Sequence, residues 1–140
     1  MSENTDDAIR HIYEQWHATI VKRDLDGLMA LYAEDAVLET PSILATMTDR
    51  TVGILKGKAE IRSFFDAALR KLEKDFGGWY RTTTFFSNGR QLTWEYPRET
   101  PDGDQIDLIE MMDISNGLIA RHRVYWGWVG FKALVGALKR

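Results

Sequence analysis

The apolar positions change their period part-way along the chain. Ile9, Ile12, Tyr13, Trp16 and Ile20, with His17 at the margin, recur at three- and four-residue spacing, while Arg10, Glu14, Lys22 and Arg23 take the opposite side. This predicts a helix over about 6–23, with Thr5, Asp6 and Asp7 as capping candidates. Leu28, Leu31 and Tyr32 form the stripe of a second helix over 25–34, started by Asp24. An extended segment runs from Ala36 until Pro41. Residues 42–53 are rich in Thr without a clear period and read as a loop, with a short strand near Thr51–Leu55. Ile61, Phe64, Phe65, Ala68, Leu69 and Leu72 mark a third helix over 58–76, ended by Gly77-Gly78.

Beyond this point the chain reads as strands. Residues 80–86, 90–99, 105–114 and 118–131 are extended segments. They are separated by Ser87-Asn88-Gly89, Pro101-Asp102-Gly103-Asp104 and Ser115-Asn116-Gly117, turn sequences of hairpin type. Helices followed by hairpin-linked strands indicate an α+β fold, with an antiparallel meander packed by three N-terminal helices. At 140 residues the chain is expected to form a single domain over 1–140.

Composition narrows the partners. The chain is 44% hydrophobic and 28% charged, with a formal net charge of −3. A nucleic acid or an anionic membrane would call for a basic footprint, so neither is expected as a partner. The chain has no cysteine, which removes disulfides, thiol catalysis and Cys-based zinc sites. No HxH or HExxH spacing is present, so no metal is expected. The polar, acidic start is unlike a signal peptide, and no apolar run reaches membrane-spanning length; the cytoplasm is the expected location. Aromatic residues make up 11% and gather late, which suits either a heavy core or the wall of a cavity.

Three blocks then carry a resemblance: DLDGLMALYAEDAVLETP at 24–41, GKAEIRSFF at 57–65 and DLIEMMDISNGLIARHRVYWGW at 107–128. Together they resemble the nuclear transport factor 2-like superfamily, in its SnoaL-like and ketosteroid-isomerase-like branch. The resemblance implies a cone-shaped curved sheet closed by helices over a hydrophobic pocket, and a homodimer paired through the outer sheet face. It implies no cofactor and a small hydrophobic ligand. Function within the superfamily is diverse, spanning isomerases, dehydratases, hydrolases, cyclases and non-catalytic proteins. Carried over residue by residue, the general-base position holds Thr40, the first-helix tyrosine position holds Trp16, the acid of a late strand is Glu110 and the last-strand tryptophan is Trp126. Proton shuttling beside a ketone needs a base within hydrogen-bond reach, so standard steroid isomerisation is not expected.

Strand parity places the remaining chemistry. An inward Glu110 brings Leu108 and Met112 with it, and an inward Trp126 brings Val124 and His122. Trp94 and Tyr96 face the same interior from the preceding strand, with Trp16, His17, Tyr32, Thr40 and Phe64 completing the expected lining. A three-residue loop at Ser115-Asn116-Gly117 would set Ile114 opposite Leu118 and Glu110 directly opposite His122, with Cβ atoms about 4.5–5.5 Å apart. Glu110 and His122 are thus the candidate catalytic pair, equally readable as a buried pair that holds a polar ligand group. His17 reads equally as a core histidine, and Asp49 as a replacement base if its loop folds inward. Three functions remain open: a cofactor-free acid/base enzyme, a non-catalytic ligand-binding or accessory domain, and a dimeric scaffold.

Overall fold

The computed structural model describes residues 4–71, 84–99, 103 and 105–139. Among them the order is α1 (Asp6–Lys22), α2 (Leu25–Met29), β1 (Tyr32–Glu39), α3 (Ser42–Thr46), β2 (Ile54–Lys56), α4 (Lys58–Arg70), β3 (Phe86–Ser87), β4 (Gln91–Glu95), β5 (Arg98–Glu99), β6 (Gln105–Ile106), β7 (Leu108–Ser115), β8 (Leu118–Trp126) and α5 (Trp128–Leu138). The α+β class and the cone-shaped arrangement follow. Six strands form one curved, open sheet in the order β2-β1-β8-β7-β4-β3, and β5 pairs with β6 apart from it.

Local chemistry explains the first helices. Thr5 caps α1 by accepting the Ala8 N–H at 3.1 Å, and Arg23 closes it in the left-handed conformation. Asp24 then accepts the Gly27 N–H at 2.9 Å and starts α2. The buried face of α1 is Ile9, Ile12, Trp16, Thr19 and Ile20, and that of α4 is Ile61, Phe64, Phe65 and Leu69. Burying each of the large apolar side chains contributes about 1.5–3 kcal/mol. Along β7, buried Leu108, Glu110, Met112 and Ile114 alternate with more exposed neighbours, so this inner face meets the helices.

Several expected boundaries shift. The second helix stops at Met29 rather than 34, because Tyr32 already pairs with Ile119 of β8. That pairing is parallel, unlike the antiparallel neighbours of β7, and its register is irregular between Tyr32 and Val37. The Thr-rich loop contains α3, and the short strand falls at Ile54–Lys56, paired with β1. The last strand ends at Trp126 rather than 131, and α5 follows from Trp128. Gly127, extended at φ −76° and ψ −179°, separates the two and donates its N–H to the Asp107 carbonyl at 2.7 Å. Expected helix beyond residue 71 and most of the expected strand at 80–86 lie outside the described residues.

The turn between β7 and β8 is the correction that bears on the site. Asn116 and Gly117 have φ of 53° and 76°, and Ser115 pairs with Leu118. Two consecutive positive φ values define a two-residue type I′ hairpin, which suits the right-handed twist of its strands. A register shift follows, with Ile114 opposite Ile119 and Asp113 opposite Arg121, so Ala120 is the extra residue of a bulge. Met112 therefore faces His122, and Glu110 faces Val124.

Candidate functional site

Between the inner sheet face, α1, α3 and α4 lies a cavity of about 280 Å³. Its lining includes Trp16, Thr40, Phe64, Tyr96, Leu108, Glu110, His122, Val124 and Trp126 from the expected set. Ile20, Leu38, Phe65, Ala68, Leu69 and Lys71 complete the wall, together with Ser42 and Thr46 from α3. The last two were invisible as lining in a stretch without period. In helical conformation their four-residue spacing puts them on one face.

Glu110 and His122 meet although they are not opposite one another. They are diagonal neighbours on one face, a separation that long side chains bridge. His122 Nε2 lies 2.8 Å from Glu110 Oε1, with both residues almost wholly buried. The contact continues outward from the pair. His122 Nδ1 is 2.8 Å from the Tyr32 hydroxyl, and the Trp16 indole N–H donates to that hydroxyl at 3.1 Å. Four residues from α1, β1, β8 and β7 thus form one buried chain.

The direction of its hydrogen bonds follows from the types of atom. An indole nitrogen only donates, so Tyr32 oxygen is an acceptor towards Trp16. The phenolic proton then needs an acceptor, because Tyr32 is 0% exposed. Among the described residues only His122 Nδ1 offers one. A proton on Nδ1 would strand the phenolic O–H, at a cost of about 1–3 kcal/mol. The geometry therefore assigns the proton of His122 to Nε2, which donates to Glu110 Oε1. Glu110 Oε2 makes no hydrogen bond among the described residues, while Glu110 lines the cavity. Burial pushes the Tyr32 phenol far above its ordinary 10.0; the Trp16 bond pulls the other way, and the Glu110 charge adds to the rise. Tyr32 thus remains a proton donor at any physiological pH.

The other expected residues fall into two groups. Thr40 is on the wall, where its hydroxyl oxygen accepts from the Trp126 indole at 3.3 Å and from the Ser42 N–H at 3.3 Å. His17, Tyr32, Trp94 and Met112 are not among the lining residues. His17 is half-buried beside the Tyr96 hydroxyl, with Nδ1 towards it, and burial lowers its pKa. Met112 is buried between Leu92 and His122 in the sheet. Trp94 is buried against Tyr13 and Trp16, and its indole N–H has no partner among the described residues. Tyr32 acts behind the wall, through His122. Asp49, the possible replacement base, is exposed. No group of three or more His, Asp or Glu among the described residues is placed to hold a metal ion.

A curved open sheet closed by N-terminal helices over an aromatic-lined interior is the fold of nuclear transport factor 2-like proteins. Within them the chain belongs to the SnoaL-like domain family, whose model matches residues 13–122. Solved structures share the fold. A SnoaL-like protein of unknown function from Burkholderia thailandensis is 15% identical, with a TM-score of 0.71 over 91% of this chain and 100% of that one. A steroid delta-isomerase from Pseudomonas aeruginosa is 23% identical, with a TM-score of 0.69 over 99% and 94%. TerC, co-crystallised with polyporic acid, is 17% identical, with a TM-score of 0.69 over 92% and 98%. A search among curated proteins gives no match.

Proposed function

We propose that this chain binds a small hydrophobic molecule in the cavity and uses Glu110 and His122 on it as an acid/base pair without a cofactor. The observation that carries the reading is the Glu110–His122 contact on the wall of an apolar cavity, tied from behind by Tyr32 and Trp16. Buried polar chains are costly when incomplete, and this one ends on a carboxyl oxygen that only the cavity can satisfy. Glu110 Oε2 is then the general base, while the His122 N–H on Oε1 holds the carboxyl orientation and stabilises its charge. The reaction class is isomerisation, dehydration, hydrolysis or cyclisation. Support for an apolar ligand comes from the relatives named as a steroid delta-isomerase and as a complex with polyporic acid.

The test has two stages. Tryptophan fluorescence is titrated with steroids, terpenoids and aromatic polyketides; Trp16 and Trp126 line the cavity and should report binding. Turnover of any binder is then compared in Glu110→Gln and His122→Ala. Full rate in both variants refutes acid/base catalysis by this pair. A non-catalytic binding domain is the second reading, favoured by Thr40, which offers no base and is held by Trp126 and Ser42. The same family reading makes the protein a cytoplasmic homodimer paired through the outer sheet face, where cross-strand neighbours Ile109 and Tyr125 are both exposed. A monomer in sedimentation at micromolar concentration contradicts the dimer.

A further inference from the structure

We propose that α5 lies on an anionic lipid surface, with its exposed aromatic stripe in the headgroup layer and its lysines on the lipid phosphates. Trp128, Phe131, Val135 and Leu138 recur at three- and four-residue spacing, so they share one face of the helix. That face looks away from the fold. Gly130 and Leu134 are the buried residues of α5, while Trp128 is 70% exposed, Phe131 53% and Leu138 47%. The Trp128 and Phe131 rings stack, with centroids 6.1 Å apart. Large apolar side chains gathered on one exposed face call for a covering partner, and charge identifies it. Residues 114–140 contain five Lys and Arg and no Asp or Glu, although the whole chain has a net charge of −3. The chain as a whole lacks a basic footprint; this segment has one. Within it, Arg121 and Arg123 are paired with Glu39 and Asp113 of the sheet. Asp107, against Gly127 at the start of the helix, engages the Gln105 amide. Lys132 and Lys139 have no acid partner among the described residues, and Lys132 Nζ sits over the Trp128 ring at 5.7 Å. The two lysines directly follow Phe131 and Leu138 and so border the apolar stripe. Aromatic rings beside lysines, with no acid, are the chemistry of a helix that lies in the lipid interface. At 11 residues α5 is too short to span a bilayer, which takes about 20. A second copy of this chain would cover the rings with the same face, and would bring the lysines of both copies together with no acid on the helix to answer them. The opposite side of α5 backs the cavity wall, since Gly130 lies against Trp126 and the helix packs on α3. Docking by this face brings the cavity beside the phase in which an apolar ligand dissolves.

Flotation of the full chain with vesicles tests this. Phosphatidylcholine vesicles are compared with vesicles in which about a third of the lipid is phosphatidylglycerol. The expected result is binding to the anionic vesicles at about 1 mM lipid or below, and about tenfold or more stronger than to the neutral ones. Binding should weaken as salt rises from about 0.05 to about 0.5 M. Trp128→Ala combined with Phe131→Ala should lower the affinity about tenfold or more. Lys132→Gln combined with Lys139→Gln should remove the preference for anionic lipid. All four side chains are exposed, so both variants should keep the wild-type thermal melt. Phe86→Ala, at an exposed ring on β3, should bind like wild type. Lipids brominated on the acyl chain should quench wild-type fluorescence more than that of Trp128→Phe. The inference is overturned by no binding to either vesicle, by equal binding to both, or by a preference for anionic lipid that survives the lysine variant. Undiminished binding of the Trp128 and Phe131 variant, an equal loss in Phe86→Ala, or equal quenching in Trp128→Phe overturns it as well. If vesicles stay unbound while the wild type self-associates and the Trp128 and Phe131 variant does not, the face belongs to a second copy and the lipid assignment falls.

Discussion

Replacing Tyr32 by Phe removes a single oxygen and keeps the ring that packs near Phe65 and His122. Two buried groups lose their partner: the Trp16 N–H, in a side chain 5% exposed, and His122 Nδ1, in one 1% exposed. Stranding a buried polar group costs about 1–3 kcal/mol. Both residues border the cavity, where water can replace part of the loss, so the lower half of the range applies to each. The expected total is about 2–4 kcal/mol, a large share of the stability of a domain of this size. At about 3–4 °C per kcal/mol, the melting temperature should fall by roughly 6–16 °C. Urea unfolding of wild type, Tyr32→Phe, Trp16→Phe and the double variant gives a coupling free energy. A value of about 0.5–3 kcal/mol is expected for groups sharing one hydrogen bond. A loss below about 0.5 kcal/mol in Tyr32→Phe, or strict additivity with Trp16→Phe, would show that the hydroxyl does not organise this chain.

Three further outcomes follow from other parts of the molecule. A Cβ at Gly130 would lie 2.5 Å from Trp126 Cε3 and 2.8 Å from Ile106 Cγ2. Gly130→Ala should therefore destabilise by about 1–3 kcal/mol in urea unfolding and displace Trp126 from Thr40, visible as a change in tryptophan fluorescence. Arg123 grips the Asp113 carboxyl with two hydrogen bonds of 3.0 Å and holds its pKa below the ordinary 3.8. A depressed folded value means that this stabilisation is present above 3.8 and is lost as pH falls through the folded value. Asp113→Asn should therefore flatten the acid limb of the stability profile there, by a modest amount because the pair is partly exposed. Burial lowers His17 from its ordinary 6.5, so the unfolded chain binds more protons between the folded value and 6.5. Stability should rise with pH across that window, and His17→Gln, compared with wild type by thermal melts at pH 5 and 7, should reduce the slope.

The helical half was legible because its signals are local. Thr5 and Asp24 cap the helices they appear to cap, and the stripes Ile9–Ile20 and Ile61–Leu69 are buried as their spacing predicts. What failed depends on partners distant in sequence. Leu31-Tyr32-Ala33-Glu34 has ordinary helical composition, yet Tyr32 joins β8, nearly ninety residues away, and tertiary pairing outweighs propensity. Trp128–Leu138 is rich in aromatic and valine residues at its start, as strands are, but Gly127 breaks the strand and Gly130 lets the new helix close on Trp126 and Ile106.

The site shows the same division at finer scale. The resemblance put Glu110 and Trp126 on the inner face and parity brought His122 with Trp126; an inference from parity tolerates any even slip of register. The true pairing moves Glu110 from His122 to Val124, a slip of two, so the face is kept and the side chains still touch. A slip of one would have sent one of them to solvent. The positive φ values of Asn116 and Gly117 and the extra residue Ala120 together keep the shift even: the shorter turn moves the register by one, and the bulge moves it by one more. Direction of hydrogen bonding was not legible in the same way. It depends on Tyr32, which the helical reading separated from the strands, and on a donor-only indole at Trp16 where relatives were expected to carry a phenol. Tyrosine at position 16 could donate or accept, and the chain could then run either way; tryptophan removes that choice and leaves the Glu110 carboxyl as the end of the chain on the cavity wall.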